Sequence, residues 1–187
     1  MTEILHQISF AILIFGAVLV LVVGIERFIF ASINLGTAKQ CILRLENNPN
    51  DSLDFDKDNV VIRMLKELQA SHSTNLSEAA KIARGDAAYL FARDALFKRL
   101  WILETIVTAA PLLGLLGTIF GIVETFLALS KSGMSDPSGV SAGIGTALYA
   151  TALGISVALI GILAFNYLKD RNERICEYLK ILILRKS

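Results

Sequence analysis

Three long runs of apolar residues set the pattern of hydrophobic and polar positions along this chain. The runs extend from about Ile8 to Ile25, from Leu100 to Ser130 and from Val140 to Leu168. A transmembrane helix needs roughly 20 predominantly apolar residues to cross about 30 Å of hydrocarbon, and each run can supply such a helix. The pattern therefore predicts an all-α membrane protein with three transmembrane helices.

The predicted spans divide the chain into six segments. The second and third runs are longer than a bilayer requires, because a helix of about 30 residues reaches about 45 Å. Such helices either tilt or project from the membrane, and we expect long helical extensions on the cytoplasmic side. The first run is interpreted as a retained span, since no Lys or Arg precedes it and it has no cleavage-like site. The segments are a first transmembrane helix at 1–26, a cytoplasmic helical region at 27–99, a second transmembrane helix at 100–130, a periplasmic loop at 131–139, a third transmembrane helix at 140–168 and a cytoplasmic tail at 169–187.

The distribution of basic residues predicts the orientation of these spans, because cytoplasmic segments carry an excess of Lys and Arg. The segment before the first span has none, and the short connection between the second and third spans has one, Lys131. The long connection has Arg27, Lys39 and Arg44 near one end and Arg93, Lys98 and Arg99 near the other, and the tail has Lys169, Arg171, Arg174, Lys180, Arg185 and Lys186. We therefore expect the N terminus outside and the C terminus inside.

The long connection between the first two spans has mixed charge, and its sequence predicts helices. Asp51 or Asp54 could cap a helix that runs toward Leu68, and the segment 75–78 (Asn-Leu-Ser-Glu) resembles the start of a capping box. No Gly or Pro breaks the chain just before the second span, so the helix after position 78 is expected to run straight into it. Its apolar residues recur at helical spacing as Ile82, Tyr89, Leu90, Leu96, Phe97 and Leu100.

Small residues recur every three or four positions in the second and third spans. Such stripes let helix backbones approach closely in lipid, where apolar burial cannot drive association. Three helices in one chain cannot easily use all of these positions, so the stripes indicate a homo-oligomer. The small residues are Ala110, Gly114, Gly117 and Gly121 in the second span, and Gly139, Gly143, Ala147, Ala150, Gly154, Ala158 and Gly161 in the third.

Threonines lie beside these stripes, among them Thr118, Thr146 and Thr151. A threonine can satisfy its hydroxyl on the carbonyl one turn back, so packing alone is one interpretation. A lined passage or a site for a polar partner is the other, because polar groups inside a membrane are costly. The carboxylates of the second span, Glu104 and Glu124, lie toward its ends. If a proton path exists, its titrating carboxylate must come from another chain.

Composition excludes several classes of function. Hydrophobic residues make up 54% of the chain and charged residues 19%, and the net charge of +1 gives no indication of a nucleic-acid partner. Cys41 and Cys176 form no CxxC pair, and His6 and His72 are isolated, so we expect free thiols, no metal site and no cofactor. With no nucleophile–base pair and no phosphate loop in the sequence, we do not expect an enzyme.

Two segments resemble a known family. The first is Ala110-Pro111-Leu112-Leu113-Gly114-Leu115-Leu116-Gly117-Thr118-Ile119-Phe120-Gly121-Ile122, which resembles the APLLGLLGTVxGM signature of the ExbB/TolQ/MotA proton-channel proteins. The second is Gly143-Ile144-Gly145-Thr146-Ala147-Leu148-Tyr149-Ala150-Thr151-Ala152-Leu153-Gly154, which resembles the third span of the family, and Phe165-Asn166 matches its closing Tyr-Asn.

The resemblance implies a function. It implies a homo-pentameric ring in the inner membrane of a Gram-negative bacterium, around a single-span partner of the ExbD or TolR type with an intramembrane aspartate. Thr118 and Thr151, with Thr146, would line the proton pathway, and Gly114, Gly117, Gly121, Gly154 and Pro111 would pack the helices. The proton-motive force would then drive motion that reaches a TonB-like or TolA-like protein and energises transport across the outer membrane.

Departures from the family pattern and alternative functions stay open from the sequence. Thr146 stands where the family often has glutamate, and Ile160 stands where proline is usual. One alternative is a TolQ-type subunit of the Tol-Pal envelope system. Another is a membrane scaffold that assembles complexes without conducting ions.

Overall fold

The fold consists of long helices. The computed structural model describes residues 2–47, 59–73, 77–132 and 137–186, and within these ranges all the regular secondary structure is α-helical. Three helices are long and apolar enough to cross a membrane, with candidate spans at Gln7–Arg44, Glu78–Ser130 and Ser138–Leu184. The prediction of an all-α chain with three membrane-spanning helices is confirmed for the described residues. The helices are α1 Thr2–Asn47, α2 Val60–Ser73, α3 Glu78–Phe97, α4 Leu100–Ser132 and α5 Pro137–Lys186.

The helices continue past the limits that the sequence suggested for the spans. α1 passes without a break through Glu26 and Arg27, and α5 continues for 18 residues beyond Leu168. α4 ends at Ser132 and α5 begins at Pro137, so both edges of the predicted 131–139 loop are helical. Charged residues do not end a helix by themselves, because they are good helix formers once outside the hydrocarbon.

The chain divides into two compact units, Met1–Ile25 with Arg99–Phe165 and Glu26–Lys98 with Asn166–Ser187. In the first unit many large apolar side chains are exposed, for example Phe15, Leu112 and Leu163. Such surface is unfavourable in water and favourable against lipid or another protein. It agrees with a unit that lies in the bilayer.

The second unit has a hydrophobic core of its own. Each of its four helical segments contributes to that core, and both cysteine thiols are buried in it. The burial of this core stabilises the unit as in an ordinary water-soluble domain. Its members are Leu35, Ala38, Cys41, Val61, Met64, Leu65, Leu68, Ala88, Ala92, Leu96, Ile175, Cys176, Leu179 and Leu182.

The face that α3 buries differs from the apolar stripe that the sequence indicated. Ile82 and Leu90 are each 59% exposed, whereas Leu96 is buried as expected. The buried face of α3 otherwise consists of small residues, Gly85, Ala88 and Ala92. The spacing correctly predicted a helix, but it does not mark the buried face at Ile82 and Leu90, because small residues let the neighbouring helices approach α3 closely on its other side.

Capping residues define where α2 and α3 begin. The Asn59 side-chain oxygen accepts a hydrogen bond from the Ile62 amide at 3.0 Å, and the Ser77 hydroxyl oxygen accepts one from the Ala80 amide at 3.4 Å. The predicted start of a helix at 75–78 is confirmed at its described residues, with Ser77 as the cap. Asp51 and Asp54 lie outside the described residues.

A break between α3 and α4 contradicts the expectation of one unbroken helix. Lys98 and Arg99 form a turn, and Arg99 has a φ of 69°, in the left-handed region that an arginine rarely adopts. The last carbonyls of α3 find side-chain donors instead of helix amides. Asn172 Nδ2 donates to the Leu96 carbonyl at 2.8 Å, and Arg27 Nη1 lies 3.5 Å from the Ala95 carbonyl. A cation at a helix C terminus is also favoured by the helix dipole.

Replacing Asn172 with alanine is therefore expected to destabilise the second unit by about 1–3 kcal/mol, because it leaves a buried carbonyl without a donor. The measurement is thermal unfolding of the purified protein in mild detergent. Asn166→Ala is the matched control, since Asn166 is exposed on the same helix. Equal stability of the two variants would show that the Leu96 carbonyl does not depend on Asn172.

Candidate functional site

The candidate site lies where α4 and α5 cross within the first unit. A Cβ atom placed on Gly154 would lie 2.5 Å from the Ala110 carbonyl oxygen, and one on Gly114 would lie 2.9 Å from the Ala150 carbonyl oxygen. Real Cβ atoms do not approach backbone oxygens this closely. The crossing therefore requires glycine at both positions.

The other predicted packing residues follow the same line of α4. A Cβ on Gly117 would lie 2.9 Å from the Ala150 Cβ, and Gly121 is buried. Pro111 is half-buried inside α4, where it removes one backbone donor. The stripes of α4 and α5 thus pack on each other inside one chain. The homo-oligomer stays a prediction, because stripes that pack within one chain do not by themselves require a second copy.

Thr118 and Thr151 meet at this crossing. Their hydroxyl oxygens lie within hydrogen-bonding distance of each other, and each also lies within hydrogen-bonding distance of the Gly114 carbonyl oxygen, Thr118 at 2.9 Å and Thr151 at 3.0 Å. Each hydroxyl has one proton to donate, so the two protons serve two of these three contacts at a time. Thr118 is only 8% exposed and Thr151 is half-buried. The absence of a side chain on Gly114 allows α5 to come close enough for Thr151 to reach a carbonyl of α4. The result is a small polar group between two apolar helices.

The remaining threonines bond within their own helices. Thr146 is exposed on α5, and its hydroxyl donates to the Ala142 carbonyl at 2.9 Å. Thr125 is buried on α4, and its hydroxyl donates to the Gly121 carbonyl at 2.8 Å. The structure therefore brings Thr118 and Thr151 together and leaves Thr146 on an outer face.

Sequence reasoning missed the acceptor that joins the two threonines. Gly114 was assigned to packing, yet its carbonyl oxygen lies within hydrogen-bonding distance of both hydroxyl groups. The spacing of four between Gly114 and Thr118 is enough to predict the contact between the Thr118 hydroxyl and the Gly114 carbonyl within α4. The contact between the Thr151 hydroxyl and the same carbonyl depends on how α4 and α5 cross. The sequence of either helix does not specify that crossing.

Ionisable groups are sparse in the first unit. Glu104 is exposed and Glu124 is half-buried, and both lie on α4. Among the described residues, no group of three or more His, Cys, Asp or Glu side chains could hold a metal ion. The polar chemistry between α4 and α5 is therefore that of hydroxyl and carbonyl groups.

Comparison with known proteins decides the family. Residues 56–181, more than half of the chain, match the MotA/TolQ/ExbB proton channel family. The chain belongs to the MotA/TolQ/ExbB family. The matched range includes the whole α4–α5 crossing, so Thr118, Thr151 and Gly114 lie inside the family domain. With its three apolar helices, this member of the family is a multi-pass membrane protein.

Individual members of the family are similar to part of the chain. The Aquifex aeolicus biopolymer transport protein ExbB is 41% identical over 73 residues, 39% of this chain and 49% of that protein. The Helicobacter pylori ExbB is 39% identical over 87 residues, 46% of this chain and 60% of that protein. The Haemophilus influenzae Tol-Pal system protein TolQ is 37% identical over 78 residues, 42% of this chain and 34% of that protein. The chain thus spans about half the length of the two ExbB proteins.

Proposed function

We propose that the chain is the proton-channel subunit of an inner-membrane motor that uses the proton-motive force to energise TonB-dependent transport across the outer membrane. The observation that supports this most is the hydroxyl pair of Thr118 and Thr151, which lies between two apolar helices of the family domain. Polar groups at such positions are costly and often belong to ion or proton paths. Hydroxyl groups can both donate and accept, so they can exchange partners with a neighbouring carboxyl group.

The carboxyl group that takes up and releases the proton belongs, in this proposal, to a second protein. A single-span partner of the ExbD or TolR type would place an intramembrane aspartate beside Thr118 and Thr151, with Thr146 on the same pathway. Five copies of the chain would form a ring around this partner. A TonB-like or TolA-like protein would receive the motion that proton transfer drives.

The orientation in this proposal follows the basic residues. The N terminus and the 131–139 connection face the periplasm, and the residues 27–99 and 169–187 face the cytoplasm, because cytoplasmic segments are rich in Lys and Arg. The unit Glu26–Lys98 with Asn166–Ser187, which has a core of its own, would then lie below the membrane.

Two alternatives each have an observation in their favour. Similarity to the Haemophilus influenzae Tol-Pal system protein TolQ favours a subunit of a Tol-Pal type system. The complete pairing of the Thr118 and Thr151 hydroxyl groups inside one chain favours a scaffold in which they only join helices. The flanking genes distinguish the first alternative from the proposed function. Genes for an outer-membrane receptor and TonB would favour the proposed function, and genes for TolA, TolB and Pal would favour the Tol-Pal subunit.

The experiment that tests the assembly co-expresses the chain with the single-span protein of the neighbouring gene. We expect native mass spectrometry in mild detergent to give five copies of the chain with a smaller number of partner copies, and an aspartate in the partner span. A lone monomer, or a partner without a carboxylate in its span, would contradict the proposed motor.

A further inference from the structure

A groove runs between α2 and α3, in the unit Glu26–Lys98 with Asn166–Ser187. Its volume is about 580 Å³, and its floor includes the buried side chains of Met64, Ala88 and Ala92. Phe91, which also lines the groove, is 78% exposed. An exposed aromatic ring beside an apolar floor indicates a surface that another molecule covers.

Positive charge predominates along the groove. Arg63, Lys66 and Arg84 line it together with a single carboxylate, Glu67, which leaves an excess of two positive charges. A complementary occupant would present carboxylates and apolar side chains on one face. Electrostatic complementarity of this kind selects partners and their register.

One stripe on the exposed face of α5 has that composition. Of the exposed cations beside it, Arg174 pairs with Asp170 and Lys180 lies over the Tyr89 ring. Glu173, Glu177, Ile181 and Leu184 follow one another at spacings of four, four and three, so they form one stripe along the helix. All four are exposed, with Leu184 at 77%. We call these four residues the α5 stripe. It presents two carboxylates followed by two apolar side chains.

The α5 stripe cannot fill the groove of its own chain. The core-facing residues of α5 include Ile175, Leu179 and Leu182, each two positions from a stripe residue. At about 3.6 residues per turn, a separation of two lies on the opposite side of the helix. Since these residues pack into the core with α2 and α3, the stripe points away from it except at its end, where Leu184 borders a smaller pocket beside Ile82 and Gly85 of α3.

We propose that the α5 stripe of one copy docks in the α2–α3 groove of a second copy of this chain. The inference rests on the ring of the proposed function and names a surface that holds the ring together outside the membrane. Groove and stripe are different surfaces of one chain, so the contact is heterologous. Heterologous contacts that close produce rings, whereas isologous contacts produce twofold dimers.

Site-directed cross-linking in the full complex tests the contact. One tagged copy has Ala87→Cys in the groove, and a differently tagged copy has Ile181→Cys in the stripe. Cys41 and Cys176 are buried, so the introduced thiols are the accessible ones. We expect an oxidant-dependent link between the two tags, about tenfold above a control pair, because docking raises the effective concentration of the thiols. The control replaces Ala87→Cys with Leu43→Cys, which is exposed outside the groove.

Charge reversal provides a second measurement. Lys66→Glu with Arg84→Glu, and separately Glu173→Lys with Glu177→Lys, should each lower the cross-linking yield several-fold, because like charges then face each other. Copies with the first pair mixed with copies with the second pair should recover the yield. Recovery would not follow if the substitutions merely unfolded the unit.

The outcomes separate this contact from the proposed function. An intact ring without the link would overturn the docking and leave the ring in place. In an intact ring, the groove cysteine could be shielded from a water-soluble maleimide and still form no link. That result would assign the groove to lipid or to another protein, and it would also overturn the proposed docking. A monomer in native mass spectrometry would overturn both proposals.

Discussion

Gly154→Ala is expected to force α4 and α5 apart and to destabilise the chain by about 1–3 kcal/mol, as overpacking of a close-packed interior does. The new methyl group would lie 2.5 Å from the Ala110 carbonyl oxygen and the Gly114 Cα is 3.1 Å away. Both neighbours are backbone atoms, which cannot rotate aside as a flexible side chain can. Thermal unfolding in mild detergent, together with the yield of folded protein, measures the effect.

Gly145→Ala is the matched control for this substitution. It lies on the same helix, and a Cβ added there meets nothing within 4 Å. Alanine is a better helix former than glycine by up to about 1 kcal/mol, so this variant should be neutral or slightly more stable. If Gly154→Ala proved as stable as Gly145→Ala, α4 and α5 would not pack through Gly154.

Thr151→Val is expected to abolish most energised transport and to leave the assembly intact. Valine keeps the shape of threonine and removes the hydroxyl that bonds Thr118 and the Gly114 carbonyl. That carbonyl keeps its bond from Thr118 at 2.9 Å, and hydrogen bonds between membrane helices contribute only about 0.6 kcal/mol on average. A proton path that loses one hydrogen-bonding partner faces a barrier higher by about 1–3 kcal/mol, which is roughly a fivefold to 150-fold loss of rate. Growth that depends on receptor-mediated import, in cells without another such subunit, measures the activity.

Two further variants control for the loss of a hydroxyl group. Thr108→Val is the same substitution on α4, where the hydroxyl bonds only carbonyls of its own helix, and it should keep full activity. Thr151→Ser retains the hydroxyl and should keep most of the activity. If Thr151→Val were as active as Thr108→Val, the hydroxyl pair would serve packing alone and the scaffold would be favoured.

The spans and the residues of the α4–α5 crossing could be predicted because each is encoded within a single helix. Apolar length gives the spans, and the spacing of small residues such as Gly114 and Gly154 gives the stripes. The pairing of the two stripes inside one chain could not be predicted in this way. It depends on the rotation of each helix about its own axis, which packing decides.

The break before α4 shows a second limit of sequence reasoning. Neither Lys98 nor Arg99 is a helix breaker, and the turn depends on donors that come from distant positions, Arg27 and Asn172. The left-handed conformation of Arg99 is unfavourable by itself by about 1–2 kcal/mol. Contacts distant in sequence must therefore offset it, and no local pattern contains them.

Apolar periodicity identified α3 as a helix but does not show which face of it is buried. Gly85 approaches Leu68 closely, since an added Cβ would lie 3.4 Å from its Cδ2 atom. A face of small residues can be buried although its hydrophobicity does not distinguish it from an exposed face. Leu90 and Phe91, which hydrophobicity alone would assign to a core, are exposed.

Proton flux into proteoliposomes tests the central proposal most directly. The vesicles contain the chain with its single-span partner, the chain with a partner whose intramembrane aspartate is replaced by asparagine, or the chain alone, and a potential negative inside drives protons inward. We expect flux only from the complex with the intact aspartate, reduced by Thr151→Val and unchanged by Thr108→Val. Equal flux with the asparagine partner, or flux from the chain alone, would contradict a path in which this chain supplies hydroxyl groups and its partner supplies the titrating carboxylate.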